Sequence, residues 1–166
     1  MSKYFFVLAV ALCSMFNISA QTEEDFNSYG VILFRQMTDS TQTEFVDFIR
    51  TREYHEIIDR QPINDNQKSM AKHKINEAYN QMYVDFQRSI QENVENYAYE
   101  IRDGASFEYL ETRYEPLDGS KDTYAMKTNF IYRNKKVQTQ VSFIYEVAWL
   151  DAERGFVFIS ALKEDF

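Results

Sequence analysis

The stretches TYAMKTNFIY (residues 123–132) and VQTQVSFIYEVAW (residues 137–149) decide the fold. Both alternate with period two, the repeat of a strand whose successive side chains point to opposite faces. Tyr124, Met126, Thr128, Phe130 and Tyr132 share one side, as do Val137, Thr139, Val141, Phe143, Tyr145, Val147 and Trp149. If Asn134-Lys135 is a two-residue hairpin turn, Tyr132 faces Val137, Phe130 faces Thr139, Thr128 faces Val141, Met126 faces Phe143 and Tyr124 faces Tyr145. Apolar side then meets apolar side at each level, and a slip of one residue would destroy the match.

Working outward, LDAERG (150–155) ends the second strand and FVFISALK (156–163) forms the next. Setting Trp149 opposite Phe156 brings Val147 to Phe158, Tyr145 to Ser160 and Phe143 to Leu162. FEYLETRY (107–114), closed by Pro116, is a further strand upstream. Before Gly104 the period becomes helical. Phe26, Tyr29, Leu33 and Met37 space a first amphipathic helix over 23–37, weakened by Gly30. Thr41 and Glu44 make a capping-box pattern that would open a second, with Phe45, Phe48 and Ile49 on its apolar side and Tyr54, Ile57 and Ile58 continuing it to Pro62. Ile75, Tyr79, Met82, Phe86, Ile90, Val94, Tyr97 and Ile101 then step by three or four without a gap. A helix from 67 to 102 would be about 54 Å long, against about 40 Å for a compact domain of this size. Two solutions compete: a long helix kinked near QENVEN (91–96) and capped at Gly104, which we favour, or an early end there followed by a strand YAYEI (97–101). The expectation is an α+β fold, with N-terminal helices (about 23–102) packed on one face of an antiparallel meander of about four curved strands (about 105–164).

The first twenty residues carry Lys3, an apolar run from Tyr4 to Phe16, and small residues Ser19 and Ala20, which is the order of a secretory signal peptide. The run is too short for a spanning helix of about 20 apolar residues. Cleavage near Ala20 and no stable membrane anchor are expected. Cys13 invites lipidation, but Leu12 stands where a small residue is wanted. The remaining chain, residues 21–166, is expected to be a single domain. It holds no cysteine, hence no disulfide, thiolate nucleophile or thiolate metal ligand. That fits a protein of the bacterial envelope, periplasmic or secreted, better than a small extracellular eukaryotic domain. With 17 lysines and arginines against 26 aspartates and glutamates, its net charge is −9. Such a surface disfavours nucleic acid and anionic membranes.

Helices followed by a curved antiparallel meander, from Thr41 to Leu162, resemble the NTF2-like (cystatin-like) superfamily in the order of elements. The resemblance implies a cone-shaped α+β domain of the kind used by small-molecule binders and by isomerase-like enzymes. It carries over no catalytic residue.

Three sets of residues are candidates for a site. The aromatic side of the sheet offers Tyr124, Phe130, Tyr132, Tyr145 and Trp149 with Thr128, Thr139 and Ser160 as polar points, the composition of a small-ligand pocket. The same composition also suits a core, where threonine is simply strand-compatible. In YHEIIDR (54–60), His55 and Asp59 stand one helical turn apart, as do His73 and Glu77. Two helices could bring the four together on a metal, although Lys72 and Lys74 flank His73 and such pairs are common on solvated helices. No metal or cofactor is therefore expected. On the sheet's other side, Val157, Ile159 and Ala161 beside Ile144 and Ala148 are apolar where water would favour polar residues. Either a homodimer or protein partner docks through Ile144, Val157 and Ile159, or the first helix covers them. Arg50, Arg52 and Arg60, interspersed with Glu53, Glu56 and Asp59, read as a solvated helix face. There is no Gly-x-Ser-x-Gly, glycine-rich phosphate loop or calcium loop. The expected function is a non-enzymatic domain that binds a small apolar ligand or a protein partner. The alternatives are a cavity enzyme of isomerase or dehydratase type using a buried carboxylate and a tyrosine, and a metal-dependent hydrolase at His55/Asp59.

Overall fold

The computed structural model describes residues 21–39, 41, 45–117, 120 and 122–165. The expected signal segment and Glu44 of the expected capping box lie outside them. The chain forms helices α1 (Glu23–Thr38), α2 (Thr51–Arg60) and α3 (Asp65–Arg102), then strands β1 (Ser106–Pro116), β2 (Thr123–Arg133), β3 (Gln138–Trp149), β4 (Phe156–Phe158) and β5 (Lys163–Asp165). The sheet is antiparallel in the order β1-β2-β3-β4, with β5 also paired to β3. The protein is an α+β domain of helices followed by a meander.

The two decisive stretches pair as strands, with their apolar sides together. Their register, however, is two residues from the one a two-residue turn gives: Tyr132 faces Thr139, Phe130 faces Val141, Thr128 faces Phe143, Met126 faces Tyr145 and Tyr124 faces Val147. The connection is a four-residue loop, 134–137. The Asn134 side-chain oxygen accepts the N–H groups of Lys136 and Val137, each at 2.9 Å, and so holds the loop in that longer form. A shift of two preserves the faces, because the side-chain period is two. From β3 to β4 the expected pairs Val147 with Phe158 and Trp149 with Phe156 are present. Beyond them the Ser160 hydroxyl accepts the Glu146 N–H at 2.8 Å, and the pairing resumes at Lys163 with its register shifted by two. Glu164, not Leu162, stands opposite Phe143.

α1 opens with a capping box, in which Thr22 Oγ1 accepts the Asp25 N–H and Asp25 returns the bond to the Thr22 N–H. It buries Phe26, Tyr29, Leu33 and Met37 against the inner face of the sheet. Gly30 makes that approach possible: a Cβ there would lie 1.8 Å from Thr112 Oγ1 and 3.0 Å from Thr128 Oγ1. The glycine that weakens the helix by propensity is what lets its backbone rest on two threonines.

The second helix begins at Thr51, not near Thr41, which corrects the expectation from the capping-box pattern. Residues 46–49 lie extended at the edge of β4, where the Ile49 N–H donates to the Phe158 carbonyl (2.9 Å) and the Phe158 N–H to the Asp47 carbonyl (2.8 Å). Val46 and Phe48 are buried while Phe45 is exposed. A free sheet edge thus outcompeted a helix start in this segment. The carboxylate that receives the helix's first N–H is Glu53, bonded to the Arg50 N–H at 2.8 Å.

α3 is helical without interruption through residues 91–96 and on to Arg102, 38 residues in all, so residues 97–101 are not a strand. Gly104, at φ +94°, caps it: the Ala105 N–H reaches the Glu100 carbonyl and the Gly104 N–H the Ile101 carbonyl, both bonds of a Schellman motif. The length is accommodated by letting the N-terminal half leave the sheet. No residue of α3 before Phe86 is buried, and this half is tied to α2, through Lys72 to Asp59 at 2.7 Å and His55 to Asn76 at 3.1 Å. Among the described residues no helix is long and apolar enough to cross a membrane.

Candidate functional site

The inner face of the sheet is packed. Thr128, Phe130 and Tyr145 are completely or almost completely buried, and Tyr124 is buried beside them. Phe130 meets Phe143 at 4.8 Å between ring centroids and Phe34 of α1 at 5.7 Å; Tyr145 stacks on Phe158 at 4.8 Å. Trp149 lies edge-on to Phe156, and Ser160 serves the strand by bonding to Glu146. Under Gly30 runs a chain of hydroxyls. Tyr109 and Thr112 are 3.0 Å apart, Thr112 and Thr128 3.0 Å, and Thr128 and Tyr145 2.8 Å, with Asn27 Oδ1 accepting from Tyr109 at 3.2 Å. Of the threonines expected as polar points, Thr128 satisfies the buried Tyr145 rather than facing open space, while Thr139 donates to the adjacent Gln140 carbonyl at 3.4 Å. Burial pushes the Tyr145 hydroxyl well above its ordinary pKa, and does the same to Tyr29. Of the eight residues expected in a pocket, Tyr132 alone lines either of the two cavities described below.

Nor does the structure assemble the four metal candidates. Asp59 is paired with Lys72, whose hydrogen bond holds its carboxyl below the usual carboxylate range, and His55 faces Asn76. His73 and Glu77 stand 3.3 Å apart, both mostly exposed. Among the described residues no group of three or more histidines, cysteines, aspartates or glutamates could hold a metal ion.

The outer apolar set is divided too. Ala148 and Val157 are buried, Ile159 is half-buried and Ile144 is exposed. α1 does not cover them, since it lies on the inner face. α2 is the helix fastened here: the Tyr54 hydroxyl donates to the Ile159 carbonyl (2.9 Å) and Arg60 to the Leu150 carbonyl (3.3 Å). Arg154 in the β3–β4 turn completes the attachment, pairing with Asp151 at 2.7 Å, Glu56 at 3.2 Å and Glu53 at 3.7 Å. Hydrogen bonds from Arg154 hold Glu56 and Asp151 below the usual carboxylate range.

The larger open space is a groove of about 960 Å³ between residues 46–50, the middle of α3 and the β3–β4 hairpin. Phe48 is its anchor, with centroids 5.0 Å from Phe86, 5.9 Å from Tyr83 and 6.1 Å from Tyr79. Tyr79 and Tyr83, one turn apart on α3, lie parallel at 6.3 Å. Ile90 and Val94 extend the apolar wall, and Arg50, Asp47, Glu53 and Arg154 supply polar groups. Those charges are already committed in part: Glu53 holds the Arg50 N–H and pairs with Arg154. The groove has aromatic surface and charge for orientation, but no histidine and no hydroxyl paired with a base.

A smaller cavity of about 320 Å³ lies between the last turns of α3 and the far end of the sheet, lined by Asn96, Tyr97, Tyr99, Glu100, Tyr132, Val141 and Glu164. The Tyr97 hydroxyl donates to Glu164, and the Tyr132 hydroxyl to Glu100 at 2.6 Å. Desolvation holds the Glu164 carboxyl above its ordinary pKa, and the bond to Glu100 raises that of Tyr132.

Sequence reasoning missed Phe48, Tyr83, Glu100 and Glu164. The alternation of Val46 with Phe48 was a signal for an extended segment. Glu164 was hidden by the register shift after Ser160, which puts a carboxylate where the expected pairing puts Leu162. No family model, curated protein or solved structure matches this chain.

Proposed function

We propose that the chain is an exported binding domain of the bacterial envelope, not an enzyme, and that its groove along α3 takes a small ligand with an apolar body. One observation carries this reading. Phe48, Tyr79, Tyr83 and Phe86 converge on a groove of about 960 Å³, whereas the aromatic side of the sheet is closed by α1. That volume falls at the upper end of the range for small-molecule sites. The order of residues 1–20 and the absence of cysteine after Cys13 support export to the envelope. The helices-then-meander order supports an NTF2-like relationship.

The test is native mass spectrometry of residues 21–166 purified from a bacterial envelope, alongside titration with anilinonaphthalene sulfonate, a dye that fluoresces in apolar sites. Retained mass or saturable dye binding, lost in a folded Tyr83→Ala or Val94→Glu variant, is the expected result. A bare protomer that binds dye no better than those variants would overturn the reading.

The cavity-enzyme alternative rests on a separate observation, the Glu164 carboxyl beside the Tyr97 hydroxyl in the smaller cavity. It requires exchange of an acidic C–H proton of a small ketone into deuterium oxide, accelerated by the protein and lost in Glu164→Gln. Equal exchange with both proteins would dispose of it.

A further inference from the structure

We propose that the smaller cavity is a binding site for a small organic cation, an alkylammonium or quaternary ammonium group. This does not rest on the groove reading, since the two spaces share no lining residue. The walls are aromatic, with Tyr97 and Tyr99 from α3 and Tyr132 from the end of β2. The charged groups on the lining are both carboxylates, Glu100 from α3 and Glu164 from β5, and no lysine or arginine lines the space. Three features point to a cation with carbon on it. First, the geometry is preorganised: the Tyr132 hydroxyl fixes Glu100 at 2.6 Å and is itself held by the Asn134 amide at 2.5 Å, while Tyr97 fixes Glu164. Second, each carboxylate receives one such bond, which leaves acceptor positions for a ligand. Third, tyrosine rings attract cations through their negative faces, and more strongly where water is displaced. Tyr99 already takes the Arg102 guanidinium, 5.9 Å from its ring centroid.

Other ligand classes fit less well. An anion would meet two carboxylates, with no lysine or arginine on the lining to offset them. A bare divalent ion would prefer a dense shell of oxygens, whereas beside Glu100, Glu164 and Asn96 the lining is three tyrosine rings and Val141. A neutral apolar molecule would have no use for two glutamates. A volume of about 320 Å³ leaves room for a compact ammonium compound. The strongly acidic surface draws cations toward it from a distance.

The test uses residues 21–166 titrated with choline chloride and followed by calorimetry and by tyrosine ring signals in NMR, against sodium chloride at equal ionic strength. A parallel titration uses dimethylbutanol, the uncharged isostere of choline. Choline is expected to saturate, with the neutral isostere binding about tenfold more weakly or worse. Glu164→Gln and Glu100→Gln, which keep shape and accept the tyrosine bonds, are each expected to weaken choline about tenfold. Tyr83→Ala, in the groove, should leave choline affinity unchanged. The idea is overturned by any of three results: no saturation below about 100 mM choline, equal binding of the neutral isostere, or full affinity in both folded glutamine variants. The comparison of choline with its isostere on the unaltered chain decides the matter even if a variant fails to fold.

Discussion

α1 and α3 both pack on the sheet, and they do so in opposite ways. α1 is short, enters through a glycine, and leaves Phe26, Leu33 and Met37 almost no exposure. α3 is more than twice as long, presents Tyr79, Phe86, Ile90 and Val94 toward its neighbours, and buries only Phe86, Asn93 and Tyr97. A helix with a small residue at the contact can bring its backbone onto the strands and exclude solvent. One with rings there stands further off, and unless those rings interlock the gap stays open. The difference separates core from open space: the aromatic side of the sheet is core where Gly30 lets a helix close it, and the two cavities described above are both lined by aromatic side chains of α3.

The most severe way to break this comparison is to give α1 a side chain where it needs none. In Gly30→Ala the new Cβ would stand 1.8 Å from Thr112 Oγ1 and 2.8 Å from Thr112 Cβ, so the helix must withdraw or the threonine must rotate out of its hydroxyl chain. We expect a loss of about 3 kcal/mol or more in urea unfolding. Thr112→Ala added to it should restore part of that loss, because the oxygen is removed while the Cβ remains. A cost of Gly30→Ala below about 1 kcal/mol would mean the helix does not sit this close.

Next in size is Thr128→Val, which keeps the volume and deletes the hydroxyl between Thr112 and Tyr145. The Tyr145 hydroxyl would be left buried without that partner, at a cost of about 1–3 kcal/mol. Thermal melting would report it, and Tyr145→Phe in the same background should recover stability by removing the orphaned group. If the double variant were less stable than Thr128→Val alone, the hydroxyl chain would not be what orders this layer.

On the α3 side the same kind of truncation should barely register in stability. Tyr83 is 39% exposed and, among the described residues, its hydroxyl bonds only to Gln87, so Tyr83→Ala is expected to cost less than about 1 kcal/mol. On the proposed function its effect should fall on binding. Ligand or dye lost with the melting temperature nearly intact would sharpen the contrast between a helix that closes the core and one that frames a site; a melt that collapsed would erase it.

How much of this was legible in the sequence follows from the range over which each feature is determined. Strand faces are set by period two within a few residues, and so the inner and outer sides of β2 and β3 could be read correctly even though the loop at Asn134 shifted the register by two. The helical stripe of α3 and its glycine cap are equally local. Gly30 was visible only as a weakness, since its value depends on Thr112 and Thr128, over eighty residues away. Residues 46–49 carried apolar spacing that suited a helix, and the open edge of β4, more than a hundred residues on, claimed them as extended chain. Neither open space could be derived from the chain. The groove depends on where Phe48 lands, and the smaller cavity on a break in pairing after Ser160 that turns Glu164 inward opposite Phe143.

The smallest effect tests that inward turn directly. Desolvation raises the Glu164 carboxyl above its ordinary pKa in the folded chain, so over the interval between the unfolded and folded values the folded state holds a proton that the unfolded state has released. Stability from this group is therefore full below the ordinary glutamate range and falls as pH rises through the folded value. Glu164→Gln removes that dependence. The difference in stability between Glu164→Gln and the unaltered chain should shift in favour of the glutamine as pH rises from about 4 to 7. The carboxyl is half exposed, so solvent screens the effect and it should be modest. A pH-independent difference would mean that Glu164 faces water as an ordinary strand-edge residue. A bound ammonium should reverse the sign, because a cation beside the carboxylate favours its ionised form. The same pair of pH profiles, repeated in saturating choline, would then show whether the group that resists ionisation alone accepts it with a ligand.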